Sequence, residues 1–215
     1  MPFDAPCRLL LLGATGAVGQ QALQQALADP RVAQVVAPTR KPLPAHPKLV
    51  NPQPDFKALP VNADWWRVDA VVCALGTTIK VAGSQVAFAA IDRDLPINAA
   101  RLAKQGGARS FALNSSLGAS PKGNFYLRTK AEAEAGIRAL GFASFTTVRP
   151  SLIDAHREPP RLGEQVGLAL ARAFAFLIPA RYRPVKADAI ARALMSAALQ
   201  APPGEHVLES EAIGP

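Results

Sequence analysis

Three glycines, Gly13, Gly16 and Gly19, close an apolar run and open a stretch rich in Ala, Gln and Leu. Residues 8–12 are apolar on both alternating faces after Arg8, as in a buried parallel strand. Residues 18–28 are good helix formers, and Pro30 stands just beyond them as a stop. A glycine turn between such a strand and helix lets the backbone approach a phosphate group. That group then faces the amides and the positive end of the helix. Residues 34–37, ending at Pro38, supply the next strand. Strand, turn, helix and strand within about thirty residues make one βαβ unit. The loop Gly13-Ala14-Thr15-Gly16-Ala17-Val18-Gly19 is therefore the candidate seat of a dinucleotide pyrophosphate.

The alternation continues. A proline-rich loop over residues 42–54 surrounds a short strand near Leu49 and Val50. Residues 69–75 form an apolar strand closed by Gly76-Thr77-Thr78. Helices are predicted over residues 84–104, broken near Pro96, and over 127–139, with strands over 110–113 and 144–148. After Pro150 come an apolar helix over 162–177, a helix over 187–199 and a short strand over 206–208. This order predicts an α/β, doubly wound, mostly parallel sheet. Residues 1–215 read as a single domain, with about 151–184 as a small cap over the cleft.

Hydrophobic residues are 49% of the chain and charged ones 19%, as in ordinary globular proteins. No stretch reaches the roughly 20 apolar residues of a membrane span. Residues 166–178 are too short and contain Arg172. The N-terminus lacks the basic flank and apolar run of a signal peptide, so a cytoplasmic protein without a membrane partner is expected. The net charge is +8, but its 24 basic residues are dispersed, 9 in the first hundred positions and 15 after, which argues against a nucleic-acid partner. His46, His156 and His206 lie far apart and read as solvated loop residues, so no metal site is expected. Cys7 lies six residues before Gly13, and Cys73 three before Gly76. On neighbouring parallel strands that offset is about 10 Å, beyond the roughly 7 Å a disulfide spans, so both read as free thiols. Trp65-Trp66 reads as core or edge packing.

Two constellations carry chemistry. At the end of the second strand, where NAD sites usually place an acid, stands Thr39-Arg40-Lys41; the nearby Asp29 precedes the strand. Arg40 and Lys41 suit a 2′-phosphate, hence NADP(H) rather than NAD(H). Tyr126 and Lys130 are four residues apart and share one helix face. The lysine ammonium stabilises negative charge developing on a phenol that gives up its proton. Ser115-Ser116, upstream at a strand end, offers a hydroxyl to steady a substrate carbonyl.

Together these residues resemble the short-chain dehydrogenase/reductase superfamily of Rossmann-fold enzymes, in its atypical branch. The chain is more closely similar to the Tat-interacting-protein family of small NADP-binding proteins. The resemblance runs through Gly13 to Gly19, Arg40, Asp55-Phe56, Leu75 to Thr78, Asp92-Arg93-Asp94, Ser115-Ser116, Tyr126 to Lys130 and Arg149-Pro150. It implies Tyr126 as acid/base, Lys130 as partner of the phenol and the cofactor ribose, and Ser116, or else Ser115, as carbonyl donor. It implies that Asp55 and Phe56 border the adenine, and that Leu75, Gly76, Thr77 and Pro150 line the cofactor. Ser151 stands where many relatives carry glycine. Two functions are compatible with this set: an NADPH-dependent reductase of a small carbonyl or quinone-like substrate, and a regulatory protein that binds NADPH and acts through a protein partner. Leu168 and Phe174 could cover the core or meet a protein partner or a second copy.

Overall fold

The computed structural model describes residue 3, residues 6–154 and residues 179–214. The helix expected over 162–177, with Leu168 and Phe174, most of the expected cap and His156 lie outside the described residues. In chain order the main elements are β1 (Cys7–Leu12), α1 (Ala17–Ala28), β2 (Val32–Val36), β3 (Leu49–Val50) and β4 (Ala70–Cys73). There follow α2 (Ile79–Ala82), α3 (Gln85–Ala89), a π-helical turn (Ala90–Asp94), α4 (Leu95–Gln105), β5 (Ser110–Asn114), α5 (Phe125–Arg138) and β6 (Ser144–Arg149). The short β7 (Ile153–Asp154) and β8 (Val185–Lys186), then α6 (Ala187–Gln200) and β9 (Gly204–Glu209), complete the set.

Among the described residues, seven strands form one sheet in the order β3-β2-β1-β4-β5-β6-β9, every neighbouring pair parallel. Alternation along the strands explains its two covered faces. Leu9, Leu11, Val35 and Val72 point to the side where Ala22 and Ala26 of α1 and Ile190 and Leu194 of α6 pack. Leu10, Leu12, Val36 and Val71 point to the other, against Ala99, Ala103 and Ile137 of α4 and α5. Chain direction across the sheet reverses between β1 and β4, so their C-terminal ends open the crevice where such folds bind ligands.

Three boundaries differ from the sequence reading in ways that bear on the site. The helix over 84–104 is interrupted at Ala90–Asp94, a turn before Pro96, which lies in the first turn of α4. Pro96 has no amide for the carbonyl of residue 92, and its ring crowds that carbonyl; the widened π turn relieves both. Helix α5 starts two residues earlier than expected because the Asn124 side chain accepts from Leu127 N–H at 3.0 Å, which puts Tyr126 in the first turn. Strand β9 is six residues long rather than three, pairing along the whole of β6.

Both cysteines are free and buried. Their separation is larger than the glycine count implied: Leu12, not a residue nearer Cys7, pairs with Cys73, an offset of five positions or about 17 Å. Burial pushes the Cys73 thiol up to about 12 and, with Asp69 adding, the Cys7 thiol to about 11. Trp66 is core, its indole N–H donating to Pro60 C=O at 2.7 Å, with the Trp65 ring tilted 35° against it at 4.0 Å between ring centroids.

Candidate functional site: the crevice between β1 and β4

The three loop glycines do different work. Gly13 has φ +83°, and a Cβ there would lie 2.7 Å from the Ala74 carbonyl group. A Cβ on Gly19 would lie 1.9 Å from the Gly13 carbonyl oxygen. Both are demanded by the packing of strand, turn and helix. A Cβ on Gly16 would meet nothing closer than 3.5 Å, and Thr15, Gly16 and Ala17 are exposed. Gly16 also caps α1 without a side-chain hydrogen bond, and no acid stands in the first turn. A free cradle before uncapped helix amides fits a pyrophosphate. Ala14 and Val18 are buried beneath the loop.

The second ridge of the crevice is Leu75-Gly76-Thr77 after β4. A Cβ on Gly76 would lie 3.8 Å from Asp92 Oδ1 and 3.9 Å from Lys130 Nζ. Thr77 N–H donates to Asp92 Oδ2 at 3.0 Å. Lys130 Nζ lies 2.6 Å from Asp92 Oδ1, an ion pair not aligned as a hydrogen bond. Both side chains are almost fully buried. Nζ is also 5.9 Å from the centroid of the Tyr126 ring, which packs on Phe88 at 5.5 Å. Tyr126 and Lys130 thus share a face, as their spacing requires, but the ammonium's closest carboxylate partner is Asp92. That residue is buried within the π turn, and no spacing rule signals a π turn.

The two serines separate. Ser115 is buried and its hydroxyl donates to Glu134 Oε1 at 2.5 Å. Glu134 is gripped at both oxygens by Arg149, at 3.0 and 2.6 Å, and Arg149 also bonds Glu209 at 3.0 Å. Ser116 is half-buried, and its hydroxyl reaches only Leu117 C=O at 3.4 Å, too long for a strong bond. The serine turn is pinned where Leu117 N–H donates to the buried Pro150 at 2.8 Å. Further on, Ser120 N–H donates to Leu127 C=O at 3.2 Å, folding the segment over the start of α5. Glu134 carried a signal that went unread: Tyr126, Lys130 and Glu134 recur every four residues on one face.

At the end of β2, Arg40 and Lys41 are exposed at a bend, with Thr39 buried beneath. Asp29 lies at the other end of the strand, 2.7 Å from Arg31, whose hydrogen bond holds the carboxyl below its ordinary range. Asp55 is exposed and accepts from Lys57 N–H at 2.8 Å, while Phe56 packs against the α4/α5-side core. Asn51, absent from the sequence-derived set, bonds both sides of the Arg40-Lys41 bend. Among the described residues no group of three His, Cys, Asp or Glu could hold a metal.

Known proteins carry the same pattern. The family model described as NAD(P)H-binding matches residues 13–168. "Protein fmp52, mitochondrial" of Emericella nidulans is 32% identical, over 94% of this chain and 92% of that protein. Protein HTATIP2 of Rattus norvegicus is 33% identical, over 73% of this chain and 66% of its own. MoeE5, solved with UDP-glucose and NAD, superposes with a TM-score of 0.68 at 20% identity, covering 94% of this chain and 75% of that one. The oxidoreductase ylbE from Lactococcus lactis does so with 0.63 at 15%, covering 96% and 94%. These structures share the Rossmann-like fold of this chain. The cytoplasmic expectation does not stand: the fmp52 relatives are named mitochondrial, and a missing signal peptide of the secretory kind says nothing of that compartment. The chain belongs to the NAD(P)H-binding family and is a homologue of fmp52 and HTATIP2.

Proposed function

We propose that the protein is an NADP(H)-dependent reductase of a small carbonyl or quinone-like compound. The observation that carries the cofactor choice is at the end of β2. Arg40 and Lys41 are exposed there, Asp29 at the other end of β2 is paired with Arg31, and Asp55 accepts from the Lys57 amide. Two cations at the strand end, where NAD sites usually place an acid, favour a 2′-phosphate over the bare ribose of NAD. Gly13 to Gly19 would hold the pyrophosphate, Asp55 and Phe56 would border the adenine, and Leu75, Gly76, Thr77 and Pro150 would line the nicotinamide half. When bound, the nicotinamide supplies a hydride to the carbonyl carbon. Tyr126 gives its phenolic proton to the carbonyl oxygen, and the Ser116 hydroxyl donates a hydrogen bond to that same oxygen. Ser115 is spoken for by Glu134. Lys130, anchored by Asp92, stabilises the phenolate left behind and reaches the ribose.

The test is titration of NADPH and NADH, alongside NADPH consumption with a panel of quinones, aldehydes and ketones. Arg40→Ala should weaken NADPH about ten- to a hundredfold, as expected for losing a charged hydrogen bond of about 1.5–3 kcal/mol. NADH should be nearly unchanged. Equal loss for both cofactors would make Arg40 a structural residue. A wild-type protein that binds NADPH and reduces nothing on the panel would be a regulatory protein acting through a protein partner.

A further inference from the structure

We propose that Asn51 and Thr39 are the positioning residues of the 2′-phosphate site, a relay that sets the Arg40-Lys41 bend before any ligand arrives. The inference rests on the NADP(H) reading above and deepens it.

Asn51 follows β3, beyond the strand that borders β2. Its Nδ2 donates to Ala37 C=O at 2.5 Å and to Thr39 Oγ1 at 2.7 Å. Its Oδ1 accepts from Leu43 N–H at 2.8 Å. The amide orientation is fixed by this set, because a flip would set its NH2 against the Leu43 N–H and its oxygen against the Ala37 carbonyl. Thr39 Oγ1 receives the Asn51 proton and passes its own to Lys41 C=O at 2.6 Å. The relay therefore has one direction: Asn51 amide to Thr39 hydroxyl to Lys41 carbonyl. It holds residues 37, 39, 41 and 43, and leaves the side chains of Arg40 and Lys41 directed to the surface. Main-chain bonds from Ala37 N–H to Val50 and from Thr39 N–H to Pro52 reinforce it from below, and Pro38 and Pro42 stiffen both flanks. Thr39 is 4% exposed, too buried to touch a ligand. Its hydroxyl acts on the ligand only through the shape of the bend. A bend ordered in advance spares a bound phosphate the ordering of the main chain that carries the two cations.

The experiment compares 2′,5′-ADP with 5′-AMP as probes, by calorimetric titration of the full chain, so that the readout is the 2′-phosphate and not turnover. Wild type should favour 2′,5′-ADP. Thr39→Val, an isostere without the hydroxyl, should weaken 2′,5′-ADP about tenfold and leave 5′-AMP within about twofold, through the lost preorganisation. Thr39→Ser should restore wild-type selectivity, and Asn51→Ala should reproduce the loss. If Asn51→Ala fails to fold, the threonine pair decides alone. Full 2′,5′-ADP affinity in Thr39→Val, or equal loss of both probes, overturns the relay. A wild type that does not distinguish the probes overturns the NADP(H) reading, and the relay with it, before any variant is made.

Discussion

Tyr126→Phe should bind NADPH as the wild type does and turn over about 10²–10⁴-fold more slowly, the usual worth of general acid catalysis. The structure explains why the two effects separate. The Tyr126 ring packs on Phe88, 5.5 Å between centroids, and over the Lys130 ammonium, contacts that a phenylalanine ring keeps. The phenolic oxygen makes no hydrogen bond with any described residue, so its removal leaves no buried group stranded. The loss falls on the proton delivered to substrate. Titration of NADPH and steady-state consumption, on the same preparation, measure the two halves. A variant retaining more than about a tenth of wild-type turnover would move the proton donor off Tyr126, since one decade lies below the range expected for a general acid.

The second large effect is on stability and lies at Asp92. Asp92 and Lys130 side chains are 0% and 7% exposed. Asp92→Ala would leave a buried ammonium without its counter-charge and Thr77 N–H without its acceptor. Removing one partner of a buried pair costs about 3–5 kcal/mol, whereas removing both is often close to neutral. Asp92→Ala should therefore lower the urea midpoint sharply, and Asp92→Ala/Lys130→Met should recover more than half of the loss. A single-variant loss below about 1 kcal/mol would mean that water reaches the ammonium, as it does for exposed pairs. The double variant should still be deficient in NADPH binding, because it lacks the cation that faces Gly76.

Much of this architecture was readable because the signals are local. The glycine loop, the apolar runs of β1, β4 and β5, and the four-residue step from Tyr126 to Lys130 each depend on neighbours in the chain. The resemblance already named Asp92, but its role needed three dimensions. Asp92 sits in the π turn that precedes Pro96, and its partner Lys130 is 38 positions on. The different surroundings of Ser115 and Ser116 come from Glu134, 19 positions on, and from the Arg149 that holds it. The offset between Cys7 and Cys73 depended on sheet register, which glycine positions do not set. Asn51 carries no local signal, because its partners Ala37 and Thr39 lie 14 and 12 positions away on the adjacent strand end. Where the protein resides was misread for a different reason: absence of one address was taken for absence of any.

The unequal duties of Gly13, Gly16 and Gly19 make binding and folding separately heritable. Two of the three positions answer to the backbone itself, where any side chain would collide with the Ala74 or Gly13 carbonyl. The middle position is under no such constraint, since a Cβ there meets nothing closer than 3.5 Å. A descendant of this chain could accept a larger residue at Gly16, keep the sheet and both cores, and surrender the nucleotide in one step. Its other two glycines would survive because the strand-turn-helix packing still requires them. Within one seven-residue loop, then, the fit of strand on helix and the room left in front of the helix amides are set by different letters.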